Sequence, residues 1–119
     1  MDERKLGAIE ARFADLIWQN EPLSSGALVR LCEEKLDWKK STTYTVLKKL
    51  CDRGIFCNKG GEVASLVSRE DFYAMQSERF VAESFEGSLP AFIAAFSSRK
   101  ALTAQEIAEI RQMIDGMEG

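Results

Sequence analysis

Trp38-Lys39-Lys40-Ser41-Thr42-Thr43-Tyr44-Thr45-Val46-Leu47-Lys48-Lys49-Leu50-Cys51-Asp52-Arg53-Gly54 reads as a short amphipathic helix with a stop at its end. From Ser41 to Arg53, the positions Thr43, Val46, Leu47 and Leu50 recur at i, i+3, i+4 and i+7 and so line one helical face. Gly54 follows, where a left-handed C-terminal residue is favoured. At about 100° per residue, Ser41, Thr45 and Lys48 fall on the opposite side, with Tyr44 and Lys49 flanking them.

Upstream, Leu6, Ile9, Phe13, Leu16 and Ile17 keep helical spacing until Asn20-Glu21-Pro22 stops it. Ser24 and Ser25 offer caps for a second helix, in which Leu28, Leu31 and Cys32 share a face and which ends before Asp37-Trp38. Downstream the period changes. Ile55-Phe56-Cys57 and Val63-Ala64-Ser65-Leu66-Val67 flank Asn58-Lys59-Gly60-Gly61-Glu62, the pattern of a β-hairpin. Helix, helix, helix, hairpin is the order of a winged helix-turn-helix. The fold expected is therefore mainly α with a small β-hairpin, a winged helix-turn-helix head over residues 1–67.

Residues 68–119 read as helical throughout. Phe72, Tyr73, Gln76, Phe80 and Glu83 mark a long helix up to Gly87, and Ser88 with Pro90 opens another carrying Leu89, Phe92, Ile93 and Phe96. Thr103-Ala104-Gln105-Glu106 is a capping box ahead of a last helix, whose Ile107, Ile110, Ile114 and Met117 recur as in the seam of a coiled coil. Segments below about 70 residues seldom close a core alone. This region accordingly needs a partner, either the first half of the chain or a second copy, and its widely spaced aromatics favour a second copy, paired through Phe80, Phe85, Leu89, Phe92, Ile93, Phe96, Ile107, Ile110 and Ile114.

Composition sharpens the reading. The chain has 119 residues, 16 Lys plus Arg against 19 Asp plus Glu, and no His. A net charge of −3 argues on its own against an anionic partner. The charge is unevenly spread, however. Residues 36–60 hold Lys39, Lys40, Lys48, Lys49, Arg53 and Lys59 against Asp37 and Asp52, a net +4, so ten cations and seventeen acids elsewhere carry −7. Charges are screened beyond about 8 Å at physiological salt, so a basic segment acts locally. A helix bearing Ser, Thr and Lys fits the roughly 12 Å major groove, where hydroxyls bond base edges and Lys reaches guanine. Lys39 and Lys40 stand where a helix N-terminus favours phosphate. The expected DNA contacts are Lys39, Lys40, Ser41, Thr42, Tyr44, Thr45, Lys48, Lys49 and Lys59.

Other chemistries are poorly served. Without His, a nucleophile–base pair or a phosphate-cradling Gly loop, the chain is not expected to be an enzyme or to take a small-molecule substrate. Cys32, Cys51 and Cys57 show no C-x-x-C pair, so no metal or other cofactor is expected. Trp18 and Trp38 read as core residues. Asp2-Glu3-Arg4-Lys5 resembles no signal peptide and no apolar run approaches the roughly 20 residues of a membrane span, so a cytoplasmic protein is expected.

The helix quoted above, Trp38 to Leu50 followed by Arg53-Gly54-Ile55, resembles the recognition-helix motif of the bacterial penicillinase repressor family, the β-lactamase and methicillin-resistance repressors. Leu6, Glu10, Leu16, Ile17 and Trp18 match that family's first helix. Glu83-Ser84-Phe85-Glu86-Gly87-Ser88-Leu89, Phe96 and Leu102-Thr103-Ala104-Gln105-Glu106-Ile107 resemble its dimerisation region. The resemblance implies a homodimeric winged-helix repressor on a two-fold symmetric, double-stranded operator. It also implies a membrane-bound metalloprotease sensor whose cleavage of the C-terminal region releases DNA. The family's cleavable Asn-Phe bond aligns with Ala95-Phe96, where Phe is kept and Asn is not, and Phe96 reads first as core-facing on its helix. Where the family carries a Gly-Arg pair and aromatics in the wing, this chain has Gly61-Glu62-Val63-Ala64-Ser65 and is shorter. No cysteine cluster follows Cys57, so the copper-responsive branch is not matched. A weak, acidic wing leaves one alternative, a winged-helix adapter that binds another protein without sequence-specific DNA binding.

Overall fold

In the computed structural model, which describes residues 6–117, helix α1 (Ala8–Asn20) turns Phe13, Ala14 and Ile17 into the core. The charged opening at residues 2–5 lies outside the described residues. Leu6 and Leu16 pack at the core's margin, whereas Ile9 is 50% exposed. Ser24 caps helix α2 (Ser25–Leu36), its Oγ accepting the Ala27 amide at 3.0 Å. The buried face of α2 is Leu28, Val29 and Cys32, with Leu31 half-buried at its edge. Asp37 ends the helix in the left-handed conformation, φ 57°, and residues 37–39 turn the chain into α3 (Lys40–Asp52). There Thr43, Leu47 and Leu50 are buried and Val46 is half-buried. Full burial of a Leu contributes about 1.5–3 kcal/mol, which anchors α3 by its expected stripe.

The hairpin is tighter than the sequence suggests. Strands β2 (Phe56–Lys59) and β3 (Glu62–Ser65) pair antiparallel with Lys59 opposite Glu62 and Phe56 opposite Ser65. Gly60 and Gly61 alone make the turn, at φ 61° and 88°. Two consecutive positive φ values suit a two-residue hairpin turn and favour glycine at both positions. Asn58, Lys59 and Glu62, expected in a loop, therefore belong to the ladder. A further strand, β1 (Leu23–Ser24), pairs Leu23 with Val63 and gives the sheet order β1-β3-β2. Glu21 Oε1 accepts both the amide and the hydroxyl of Ser65, at 2.8 and 2.7 Å, fixing the end of α1 to β3.

Both tryptophans are structural. Trp38 stacks on Phe13 at 5.3 Å between centroids, and Trp18 packs beside Phe56 and Phe72 while its Nε1 donates to the Val67 carbonyl at 3.0 Å. Helix α4 (Arg69–Ser84) begins in this head, with Phe72 1% exposed in its core. The chain divides into two compact units between Gln76 and Ser77 rather than at residue 67, because Phe72 and Tyr73 pack on the head.

The second unit holds the rest of α4, α5 (Leu89–Arg99) and α6 (Ala104–Met117). Ser88 Oγ caps α5 at the Ala91 amide, 3.1 Å away, with Pro90 in the first turn. The capping box of α6 is reciprocal, Thr103 N to Glu106 Oε1 at 2.9 Å and Glu106 N to Thr103 Oγ1 at 3.0 Å. Those bonds hold the Glu106 carboxyl below the usual range. Phe80, Phe85 and Phe92 meet edge to face and Phe96 follows Phe92 at 6.4 Å. Yet α5 and α6 bury no residue among those described. Phe96, expected to face a core, is 48% exposed, because within one chain these helices close none.

Candidate nucleic-acid interface

The face of α3 opposite its buried stripe carries Ser41, Thr42, Thr45, Lys48 and Lys49, all exposed, with Lys39 and Lys40 exposed at its start. No side chain caps this helix at Lys39. Its first-turn amides are thus available to an anion, and the helix dipole adds to the pull of the two ammoniums. Thr45 Oγ1 donates to the Ser41 carbonyl at 2.9 Å, leaving its lone pairs outward. Lys59 is exposed at the end of β2, next to the turn.

Tyr44 sits at the edge of the face, half-buried, and donates its hydroxyl to Ser25 Oγ at 3.1 Å. The Ser25 amide in turn donates to the Gly61 carbonyl at 2.8 Å. One residue at the start of α2 thereby joins the wing turn to α3. Between α3 and β2 lies a cleft of about 360 Å³ lined by Tyr44, Leu47, Lys48, Cys51 and Asn58. Asn58 is not among the residues expected from sequence to border DNA. Its only signal there is its position before Lys59, and pairing opposite Val63 sets it in the sheet.

The cations divide by what they meet. Lys48 pairs with Asp52 at 3.0 Å one helical turn on, both side chains largely solvated at 78% and 66% exposure. Lys49, expected on the DNA side, instead reaches across to α1, where Glu10 Oε2 accepts it at 2.9 Å. Arg53 Nη1 meets Glu10 Oε1 at 3.5 Å. The bond from Lys49 is the main reason the Glu10 carboxyl titrates below its ordinary value, with burial opposing it and the Gly7 amide and Arg53 supporting it. The ion pairs among the described residues leave the exposed ammoniums of Lys39, Lys40 and Lys59 to solvent.

All three cysteines are free thiols, and burial pushes Cys32 and Cys51 up. Among the described residues no group of three or more His, Cys, Asp or Glu is placed to hold a metal, and no helix is long and apolar enough to cross a membrane.

Three helices and a three-stranded antiparallel sheet, whose β2–β3 hairpin follows a hydroxyl- and lysine-bearing third helix, define a winged helix-turn-helix protein with a helical C-terminal region. The chain matches the Penicillinase repressor family over residues 6–116 and belongs to it, a family of DNA-binding transcriptional repressors. It is also similar to the methicillin resistance regulatory protein MecI of Staphylococcus aureus (strain Mu50 / ATCC 700699). The two are 23% identical over 115 residues, covering 93% of this chain and 94% of that protein. Family membership favours the repressor over the adapter.

Proposed function

We infer that the chain represses transcription as a homodimer on an inverted-repeat operator, each copy inserting α3 into the major groove. The observation that carries this reading is the exposed face of Lys39, Lys40, Ser41, Thr42, Thr45 and Lys48 at the uncapped start of α3, with Tyr44 at its edge and Lys59 on the wing. Lys39, Lys40 and Lys48 bind phosphate, and the hydroxyls address base edges. Pairing through Phe80, Phe85, Leu89, Phe92, Ile93, Phe96, Ile107, Ile110 and Ile114 sets two such helices about 34 Å apart, one turn of DNA. The half-exposed aromatic and isoleucine side chains of the second unit support this pairing. Cutting or loosening residues 88–102, by a membrane-bound metalloprotease at Ala95-Phe96 or otherwise, uncouples the half-sites and releases DNA, because the two heads then bind independently.

A salt titration tests the reading. With a duplex from the chain's own upstream region, the slope of log K against log salt is expected to shrink by about 0.9 for each phosphate that is no longer neutralised, hence by roughly 5.4 for the dimer when Lys39, Lys40 and Lys48 all become Ala in both copies. An unchanged slope, or no saturable band for the wild-type chain, overturns it. The second result is the behaviour of an adapter.

A further inference from the structure

We propose that Glu10 is a positioning residue of the DNA-binding face, seating the C-terminal end of α3 on α1 and holding Lys49 back from the nucleic acid. The proposal rests on the assignment of α3 as the helix that enters DNA.

Glu10 lies in the first turn of α1 with its side chain only 18% exposed. Both oxygens are occupied. Oε2 takes the Lys49 ammonium at 2.9 Å, while Oε1 takes the Gly7 amide at 3.1 Å and the Arg53 guanidinium at 3.5 Å. Lys49 belongs to the last turn of α3 and Arg53 is its C-terminal cap residue, so one carboxylate grips that end of the helix at two points. The other lysine of this face shows the contrast. The Lys48–Asp52 pair joins two residues of one helix that are both mostly in water, and such exposed pairs hold weakly. A phosphate can draw Lys48 away and leave Asp52 solvated. Drawing Lys49 away would strand a largely buried carboxylate with one of its charge-assisted bonds missing, a cost that a further solvated phosphate contact does not offset.

Two of the six cations in residues 36–60 are therefore committed to the protein rather than to its ligand. Lys39, Lys40, Lys48 and Lys59 carry the phosphate grip, while on the α1 flank the Glu10 carboxylate offsets one of the two cations it meets.

The test measures binding of the full chain by fluorescence anisotropy at several salt concentrations, on the upstream duplex and on a random-sequence duplex. Lys49→Ala is expected to keep the wild-type slope of log K against log salt, whereas Lys48→Ala, which removes one contact from each copy, lowers it by about 1.8. Glu10→Gln is expected to steepen the slope by about 1.8 as Lys49 is released in both copies, which multiplies the loss of affinity between about 50 and about 200 mM salt by roughly 12. Adding Lys49→Ala to Glu10→Gln should restore the wild-type slope. A slope lowered by about 1.8 in Lys49→Ala alone overturns the proposal, and that variant decides even if Glu10→Gln folds poorly. A folded Glu10→Gln protein with weaker binding and unchanged slope also overturns it, since that is the mark of a merely structural residue. A wild-type chain that binds neither duplex removes the repressor assignment itself. Binding with the wrong Lys49 result removes only the role given to Glu10.

Discussion

Tyr44 on α3 donates its hydroxyl to Ser25 Oγ, 3.1 Å away at the first residue of α2. Through its own amide the same serine holds Gly61 of the wing turn at 2.8 Å. The angle between the two helices of the helix-turn-helix and the base of the wing thus share one small polar junction. Tyr44→Phe is expected to cost about 0.5–1.5 kcal/mol of stability, the usual net worth of such a bond. Ser25→Ala should cost a similar amount, and the double variant less than the sum, because both remove one interaction. A urea-denaturation cycle giving additive costs would show that the bond contributes nothing.

How far these relationships can be read in the chain itself depends on their range. The stripe Thr43, Val46, Leu47, Leu50 and the caps at Ser24, Ser88 and Thr103 are local, so spacing and residue type reveal them. Strand β1 is two residues long and carries no period. It exists because Leu23 lies beside Val63, a pairing that only the folded head creates. The Glu10 grip on Lys49 and Arg53 joins residues far apart in sequence, and the helical wheel, which holds only its own helix, places Lys49 on the DNA flank. Phe72 falls outside the expected head boundary for a similar reason. It lies in the first turn of α4, and burial against Trp18, rather than any break in pattern, assigns it to the first unit.

Glu10 also gives the head a pH dependence of definite sign. Its folded pKa is depressed, chiefly by the hydrogen bond from Lys49. The stability it contributes is therefore present in full above the pKa of an unfolded glutamate and is lost as pH falls through the lower, folded value. Wild-type protein should lose stability over that acid window more steeply than Glu10→Gln, and the gap between them should close at the acid end. Urea melts across acid pH check this. A Glu10→Gln protein whose stability tracks the wild type in parallel would contradict it.

The wing offers a gain rather than a loss. Glu62 is exposed in β3, directly opposite Lys59 across the two-glycine turn, where its charge opposes any phosphate that Lys59 attracts. Glu62→Lys is expected to leave the fold intact, since exposed substitutions usually shift stability by about 0.5 kcal/mol or less. If the wing lies against the DNA backbone, the variant binds more tightly at low salt and its salt slope steepens by about 1.8, one contact for each wing of the dimer. A slope equal to the wild type's would place the wing clear of the phosphates and leave the grip to α3.

The second unit supplies the sharpest separation between one chain and two. Ile107 is 36% exposed and Ile114 is 52% exposed on α6, along the seam that recurs every three and four residues. In a lone chain, a glutamate at position 114 would stand in water and change little. In a paired seam it would place a charge among apolar side chains, where an unpaired charge costs several kcal/mol. Ile114→Glu should therefore keep its helical content while its mass in solution falls from twice 13.3 kDa to 13.3 kDa. Operator affinity should drop by about 10²-fold or more, the gain that linked binding provides. Sedimentation equilibrium and the anisotropy titration read the two effects separately. A variant that remained dimeric and bound normally would move the interface off this seam, whereas a monomer that still bound tightly would mean that a single head suffices for the operator.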